Sequence, residues 1–253
     1  LWSAMPEDGF LQKFHDLASG DDETRCRAAC AIRRALTSGK LDKDELAYTV
    51  RRLVRGAQSS RQCCRQGFCL ALSEVLQAFP AELSSVLQLV DKTSELQSGL
   101  RASEQKDRLL GRLFVYGAIL QAGVLRGKEK ALPSGVLASL GRGLLSIHQA
   151  RPYLAASSLC LLGEACQELC KGGNFASVAE VISEWHLDDK FGDGSSPESL
   201  DPHVLGLVLC LRLAYEDAVQ MGAGPLKSWP SCVRKDILRS NVAVLAKGIG
   251  KVL

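Results

Sequence analysis

The sequence predicts an all-α fold, an α-solenoid of stacked antiparallel helical hairpins of HEAT or armadillo type. Three observations carry that expectation. Roughly eleven segments of about 10–22 residues place apolar side chains three and four residues apart, the period of an amphipathic helix, and none alternates with the period two of a strand. Leu and Ala dominate while aromatic residues make up only 6% of the chain, a composition that favours helix over sheet. Gly and Pro stand mostly at the ends of the periodic runs, where helix boundaries belong. At 253 residues, successive hairpins with short loops stack side by side more simply than they close into one bundle. No sequence motif repeats, so the expectation is architectural.

Phe10, Leu11, Phe14 and Leu17 give a first short helix, closed by Ser19-Gly20. Asp21 or Asp22 caps the second, which runs to about Ser38 with a core face of Cys26, Ala29, Cys30, Ile32 and Leu36. Asp42, with Glu45 three residues on, forms a capping box for the third, whose core face is Leu46, Val50, Leu53 and Val54. Ser59 or Ser60 caps the fourth, with a stripe of Cys64, Phe68, Ala71, Leu72, Val75 and Phe79 that ends at Pro80. A fifth helix spans about 81–97 on Leu83, Val86, Leu87 and Val90; a sixth spans about 103–124 on Leu109, Leu113, Phe114, Gly117, Leu120 and Val124. Helices follow at 134–148, 152–171 and 174–187, then at 203–220 and 231–250. Between them Asp188–Pro202, with two Gly, two Pro, three Ser and four Asp, reads as a linker or long loop. The expected organisation is therefore repeats over 1–187, the linker at 188–202, and a truncated continuation over 203–253. The chain begins with Leu1 and ends in mid-pattern, as a fragment of something longer would.

The formal charge of +3 conceals an asymmetry. From Arg25 to Arg65 there are eleven Lys/Arg against three Asp/Glu, a local balance of +8 that leaves −5 for the remainder. Such a block suits an acidic partner: RNA, DNA or an acidic protein segment. Its densest part is the joint between the third and fourth helices, where Arg51, Arg52 and Arg55 precede Gly56 and Arg61 and Arg65 follow the serines. Cations are welcome at a helix C-terminus, which accounts for the first three. Arg61 and Arg65 sit at a helix N-terminus, where anions are favoured instead, so that end flanked by guanidinium groups is a candidate phosphate or carboxylate cradle. A solvated or salt-bridged helix face is the bland alternative. No aromatic ladder interleaves the arginines, so base stacking is not indicated.

Nothing in the chain asks for a cofactor or a metal. The ten cysteines fall mostly within helical apolar patterns, as reduced core thiols of a cytosolic or nuclear protein would, and neither they nor the four scattered histidines follow zinc-ligand spacing. Cys63-Cys64 lie near positive charge but have no neighbouring histidine to act as base. Polymerase or nuclease chemistry would need carboxylates on a scaffold, whereas Asp42/Asp44 open a helix and Asp188/Asp189 and Asp193/Asp201 fall in the linker. Gly141-Arg142-Gly143 and Gly222-Ala223-Gly224 follow no strand and lack the rest of a nucleotide loop. Trp185, His186 and Trp229, near helix ends, read as packing or surface residues. The longest apolar stretch, around Val204–Ala214, is too short to span a membrane and contains Arg212.

The string Arg51-Arg52-Leu53-Val54-Arg55-Gly56-Ala57-Gln58-Ser59-Ser60-Arg61-Gln62-Cys63-Cys64-Arg65-Gln66-Gly67-Phe68-Cys69-Leu70-Ala71-Leu72 resembles an ordered signature near the start of the Myb-binding-protein/DNA polymerase phi family. Phe14-His15-Asp16-Leu17-Ala18-Ser19 is similar to the family's opening, with His15 in place of its Trp, and Glu23-Thr24-Arg25, Asp44-Glu45-Leu46-Ala47-Tyr48 and Arg112–Gly123 extend the likeness. It runs through residues 10–125 and thins from 126 to 253. The resemblance implies a nuclear, chiefly nucleolar, helical-repeat protein of rRNA production and ribosome biogenesis, whose animal members also act as transcriptional co-regulators. Family members are much longer, with acidic stretches and a basic tail that this sequence does not contain. The expected role is a non-enzymatic scaffold that binds rRNA or rDNA chromatin together with transcription factors or ribosome-biogenesis proteins. Arg51, Arg52, Arg55, Arg61 and Arg65 would serve as its acidic-partner contact, with no membrane and no small-molecule substrate. A purely protein-binding co-regulator or transport adaptor is the alternative, and a DNA polymerase the weakest reading.

Overall fold

A computed structural model describes residues 8–38, 43–93, 99–127, 135–190, 202–223 and 226–234, and no strand occurs among them. They divide into two compact units, Leu1–Val124 and Leu125–Leu253.

In the first unit, α1 (Asp8–Asp16), α2 (Asp22–Ser38), α3 (Lys43–Gly56), α4 (Gln62–Ala78), α5 (Leu83–Thr93) and α6 (Ala102–Gln121) follow the expected order. Asp21 caps α2, its carboxylate accepting the Thr24 N–H at 2.8 Å. The Asp42 cap lies outside the described residues. Helix α4 is central, packing against α2, α3 and α6. Three neighbours bury more than one stripe, so Gly67, Cys69, Ser73 and Leu76 are buried beside Cys64, Ala71, Leu72 and Val75, whereas Phe68 and Phe79 at the margin are half-buried. Arg25 meets Gln66, and Arg33 meets Glu74 at 2.7 Å. Both pairs are 41 residues apart, so α2 and α4 run in the same direction.

The α2 core face is rotated from the expected one. Cys26 and Cys30 are exposed, and Arg25, Ala28, Ala29, Ile32 and Leu36 are buried. Arg25 can take a core position because its guanidinium donates to the Ser19 carbonyl at 2.8 Å and pairs with Asp22. In α6, Leu109 and Leu113 are buried as expected, but Phe114, Gly117 and Leu120 are only half-buried; Val115, Tyr116, Ala118 and Ile119 fill the core instead. Helix α5 buries the four expected residues, Leu83, Val86, Leu87 and Val90.

The second unit holds α7 (Val136–Ala150), α8 (Pro152–Lys171), α9 (Phe175–Ile182), α10 (Leu187–Lys190), α11 (Pro202–Gln220) and α12 (Ser231–Arg234). Helix α7 packs on α8 and α9, and α8 also packs on α11. Of the two readings left open for Trp185 and Trp229, packing is the outcome: both are buried with their indole N–H groups satisfied, Trp185 by the Gly141 carbonyl at 3.2 Å and Trp229 by the Phe175 carbonyl at 3.1 Å. Asp188 is the first residue of the predicted linker. It lies in α10, and its carboxylate accepts the backbone N–H groups of Ser231 and Cys232, each at 2.8 Å, tying α10 to the start of α12. Residues 191–201 of the predicted linker, and the helix expected beyond 234, lie outside the described residues.

Candidate nucleic-acid interface

The joint between α3 and α4 is built from close approaches. A Cβ on Gly67 would fall 2.0 Å from the Leu17 carbonyl oxygen, and one on Gly111 would fall 2.8 Å from that of Ala57. Only glycine lets α4 lie against the end of α1, and α6 against the loop that follows α3. The five arginines are thereby fixed on a rigid corner of the first unit, but they do not share one environment.

Arg51 and Arg55 are exposed, and neither side chain is hydrogen-bonded or ion-paired among the described residues. Arg52, between them, is half-buried. Its guanidinium stacks over the Phe14 ring at 4.6 Å and donates to the Tyr48 hydroxyl at 2.6 Å. Arg61 is exposed and is itself the N-cap residue of α4, with extended backbone and no side-chain cap; its own N–H donates to the Ser59 hydroxyl at 3.2 Å. Ser59 and Ser60 therefore shape the turn instead of capping the helix. The Arg61 side chain reaches the Ala18 carbonyl at 3.4 Å, a long contact that leaves most of its donors open.

Arg65 faces inward and is only 9% exposed. It donates to the Ser59 carbonyl at 2.6 Å and the Ser60 carbonyl at 3.0 Å, lies 3.6 Å from the Asp107 carboxylate, and packs over the Phe114 ring at 5.8 Å. These contacts brace the turn that presents Arg61. Sequence spacing missed this division because a helix N-terminus is chemically alike for both residues, and the contact from α6 is remote in sequence. Arg25 was missed too, although it lies one turn before Ala28, Ala29 and Ile32 on the buried stripe, a signal the sequence does contain.

Cys63, half-buried beside Arg61, is the chemically distinctive thiol of the corner. Desolvation pushes its pKa up, but the Arg61 charge and hydrogen bonding with Cys64 outweigh this, and the net shift is downward. Burial holds Cys69, further along the helix, up at about 12. Among the described residues no three His, Cys, Asp or Glu side chains converge as metal ligands would, and no helix is long and apolar enough to cross a membrane.

Comparison with known proteins gives this geometry a family. No solved structure matches the chain. It is 30% identical over 123 residues to a Schizosaccharomyces pombe protein named rDNA transcriptional regulator pol5, covering 48% of this chain and 12% of that protein. To Myb-binding protein 1A of Homo sapiens it is 27% identical over 238 residues, 90% of this chain and 17% of the relative. To the Rattus norvegicus protein of the same name it is 32% identical over 124 residues, 49% and 9% respectively. The chain thus spans less than a fifth of the length of these relatives. The sequence model of the family described as DNA polymerase phi matches residues 48–247, from within α3 to past α12 and so across the whole α3–α4 joint. This chain belongs to the DNA polymerase phi family.

Proposed function

We propose that the chain is a non-enzymatic binding module of a nuclear, nucleolar regulator of rRNA gene transcription and ribosome biogenesis, and that its α3–α4 corner contacts the phosphates of rRNA or rDNA. The relatives' names, rDNA transcriptional regulator and Myb-binding protein, support the regulatory role. The observation that carries the contact is the division among the arginines. Arg51, Arg55 and Arg61 are open at the corner, while Arg52 and Arg65 are held within it and fix its shape. Uncommitted guanidinium groups suit phosphate oxygens because their donors need break no existing pairing, and the packed backbone beneath them adds no further ordering cost.

The module is further proposed to be an α-solenoid. Supporting this, pairs across neighbouring helices recur at nearly constant separation: 41 residues for Arg25–Gln66 and Arg33–Glu74, 42 for Arg126–Glu168, and 44 for Trp185–Gly141. HEAT and armadillo repeats have a period of about 40–47 residues.

The test is fluorescence anisotropy with fluorescently labelled rRNA and rDNA pieces at several salt concentrations. The chain should bind, and the triple variant Arg51→Glu, Arg55→Glu, Arg61→Glu should lose binding while keeping its thermal midpoint. Binding that is unchanged in the variant sinks the contact. The second reading, a transcription-factor-binding module or transport adaptor without nucleic-acid contact, is favoured by the name Myb-binding protein. Associations that resist both RNase and salt would select it. For the polymerase reading, metal-dependent nucleotide incorporation sensitive to Asp188 and Asp189 is the assay, and none is expected, because Asp188 is engaged as the cap of α12.

A further inference from the structure

Two exposed apolar side chains of the described residues, Leu213 and Met221, line the same hollow. Four large hydrophobic residues are exposed, Tyr153 at 56%, Leu213 at 58%, Val219 at 45% and Met221 at 59%. Leu213 and Val219 belong to α11, Met221 directly follows it, and Tyr153 lies in the first turn of α8, the helix packed against it. Leu213 on α11 and Met221 just past its end, eight residues apart, stand on one side with Asp217 between them, and the Met221 N–H donates to the Asp217 carbonyl at 3.0 Å. Single exposed apolar residues need no explanation, but two that line one groove do.

That groove runs along the α8–α11 seam as two adjoining hollows of about 800 and 360 Å³ that share Gln167. Its floor is made low by small residues. A Cβ on Gly163 would meet only Cys210 and Leu207, at 3.7 and 3.8 Å, and one on Gly206 would meet nothing within 4 Å. The lining extends from Ala156 to Lys171 on α8 and from His203 to Met221 on α11. At about 1.5 Å per residue this is a trough of roughly 23–27 Å, long enough for a helix of four to five turns.

The charge of the walls is one-sided. Glu164 and Asp217 are exposed, and neither carboxylate has a cation partner among the described residues. Lys171, at one end, is already engaged by Glu168 at 2.9 Å. The Cys170 thiol on the floor is held up at about 11, by burial first and by the Asp217 charge in addition.

We propose that the α8–α11 groove is a docking site for a basic amphipathic helix of a partner protein, whose apolar stripe covers Leu213 and Met221 while Lys or Arg side chains on its flanks meet Glu164 and Asp217. Helix-in-groove recognition takes apolar anchors at helical spacing from the occupant and shape from the host. The unpaired acids add the selectivity, because an acid-flanked helix would set like charges against Glu164 and Asp217. This surface lies in the second unit, and its role is independent of the arginine corner in the first.

Two fluorescein-labelled peptides of about 18 residues, with the same leucine stripe but with flanks either all Lys or all Glu, would be titrated against the 253-residue chain by anisotropy. The Lys-flanked peptide should bind at least about tenfold more tightly than the Glu-flanked one. Leu213→Asp, at an exposed position, should abolish that binding with the thermal midpoint unchanged, and the double variant Glu164→Lys, Asp217→Lys should invert the preference. Equal binding of the two peptides, or indifference to Leu213→Asp, would overturn the proposal. So would a concentration-dependent dimer that Leu213→Asp dissolves, since a second copy would then own the groove. Binding gained only after Leu238→Asp and Leu245→Asp would overturn it as well, by assigning the groove to the chain's own C-terminal stretch.

Discussion

Arg61 and Arg65 are four residues apart at the start of α4 and carry the same charge, yet Arg65 is 9% exposed and Arg61 is open. The same substitution should therefore have unequal effects at the two positions. Arg65→Met keeps the aliphatic stem but strands the Ser59 and Ser60 carbonyls and leaves Asp107 without its cation. It should cost about 2–3 kcal/mol of stability in urea denaturation, whereas Arg61→Met should stay within about 0.5 kcal/mol. Arg61 should act on Cys63 instead. A thiol whose pKa is lowered is ionised over a wider range of pH, and the thiolate is the nucleophile. Cys63 should then react with iodoacetamide near neutral pH faster than Cys26, Cys30 and Cys160, all of which are more exposed, and Arg61→Glu should slow it. Mass-spectrometric labelling rates check this, and a ranking by exposure alone would refute it.

The core face of α5 was legible in the sequence and that of α6 was not, and the difference is one of environment. An element that buries a single face obeys the three–four spacing, which is why Leu83, Val86, Leu87 and Val90 were found. In α6 the buried set spreads from Leu109 through Tyr116 to Ile119, and a single stripe cannot cover that arc. At the joint, the arginine cluster was legible as composition, but its division into exposed and inward members depends on Phe14, Tyr48 and Asp107, which no local pattern connects. Asp188 was hidden for a similar reason, because its partners Ser231 and Cys232 are 43 and 44 residues away. Desolvation pushes the Asp188 pKa up, but the hydrogen bonds from Cys232 and Ser231 prevail and hold it below the usual carboxylate value. With the folded-state pKa depressed, the stabilisation is present above the unfolded carboxylate range and is lost as pH falls through the folded value. Asp188→Ala should loosen α12 by about 0.5–2 kcal/mol, as loss of a helix cap does. Faster amide exchange at Ser231 and Cys232 would register it, and the gap between variant and parent should narrow below about pH 4.

Across the whole molecule the charge is uneven in a way that net charge conceals, with +8 between Arg25 and Arg65 and −5 elsewhere. If binding to a polyanion depended on net charge, +3 on 253 residues would give a weak and diffuse response to salt. If it depends on the corner, the response is countable. Neutralising phosphates with Arg51, Arg55 and Arg61 should give a plot of log affinity against log salt with a slope of about −2 for single strands and about −3 for duplex. Each Arg→Gln replacement among the three should make that slope shallower by about 0.7–0.9. Arg65→Met should leave the slope unchanged in the folded protein while lowering its stability, because the Arg65 guanidinium is already committed to Ser59, Ser60 and Asp107. Arg126 and Lys171 in the second unit both pair with Glu168, so replacing them tests whether any exposed cation serves equally well. An unchanged slope in those variants, with stepwise loss in the first three, would locate polyanion binding at the α3–α4 corner. A slope that responds to Arg126 or Lys171 as strongly as to Arg61 would mean that charge alone, and not the geometry of the joint, governs association.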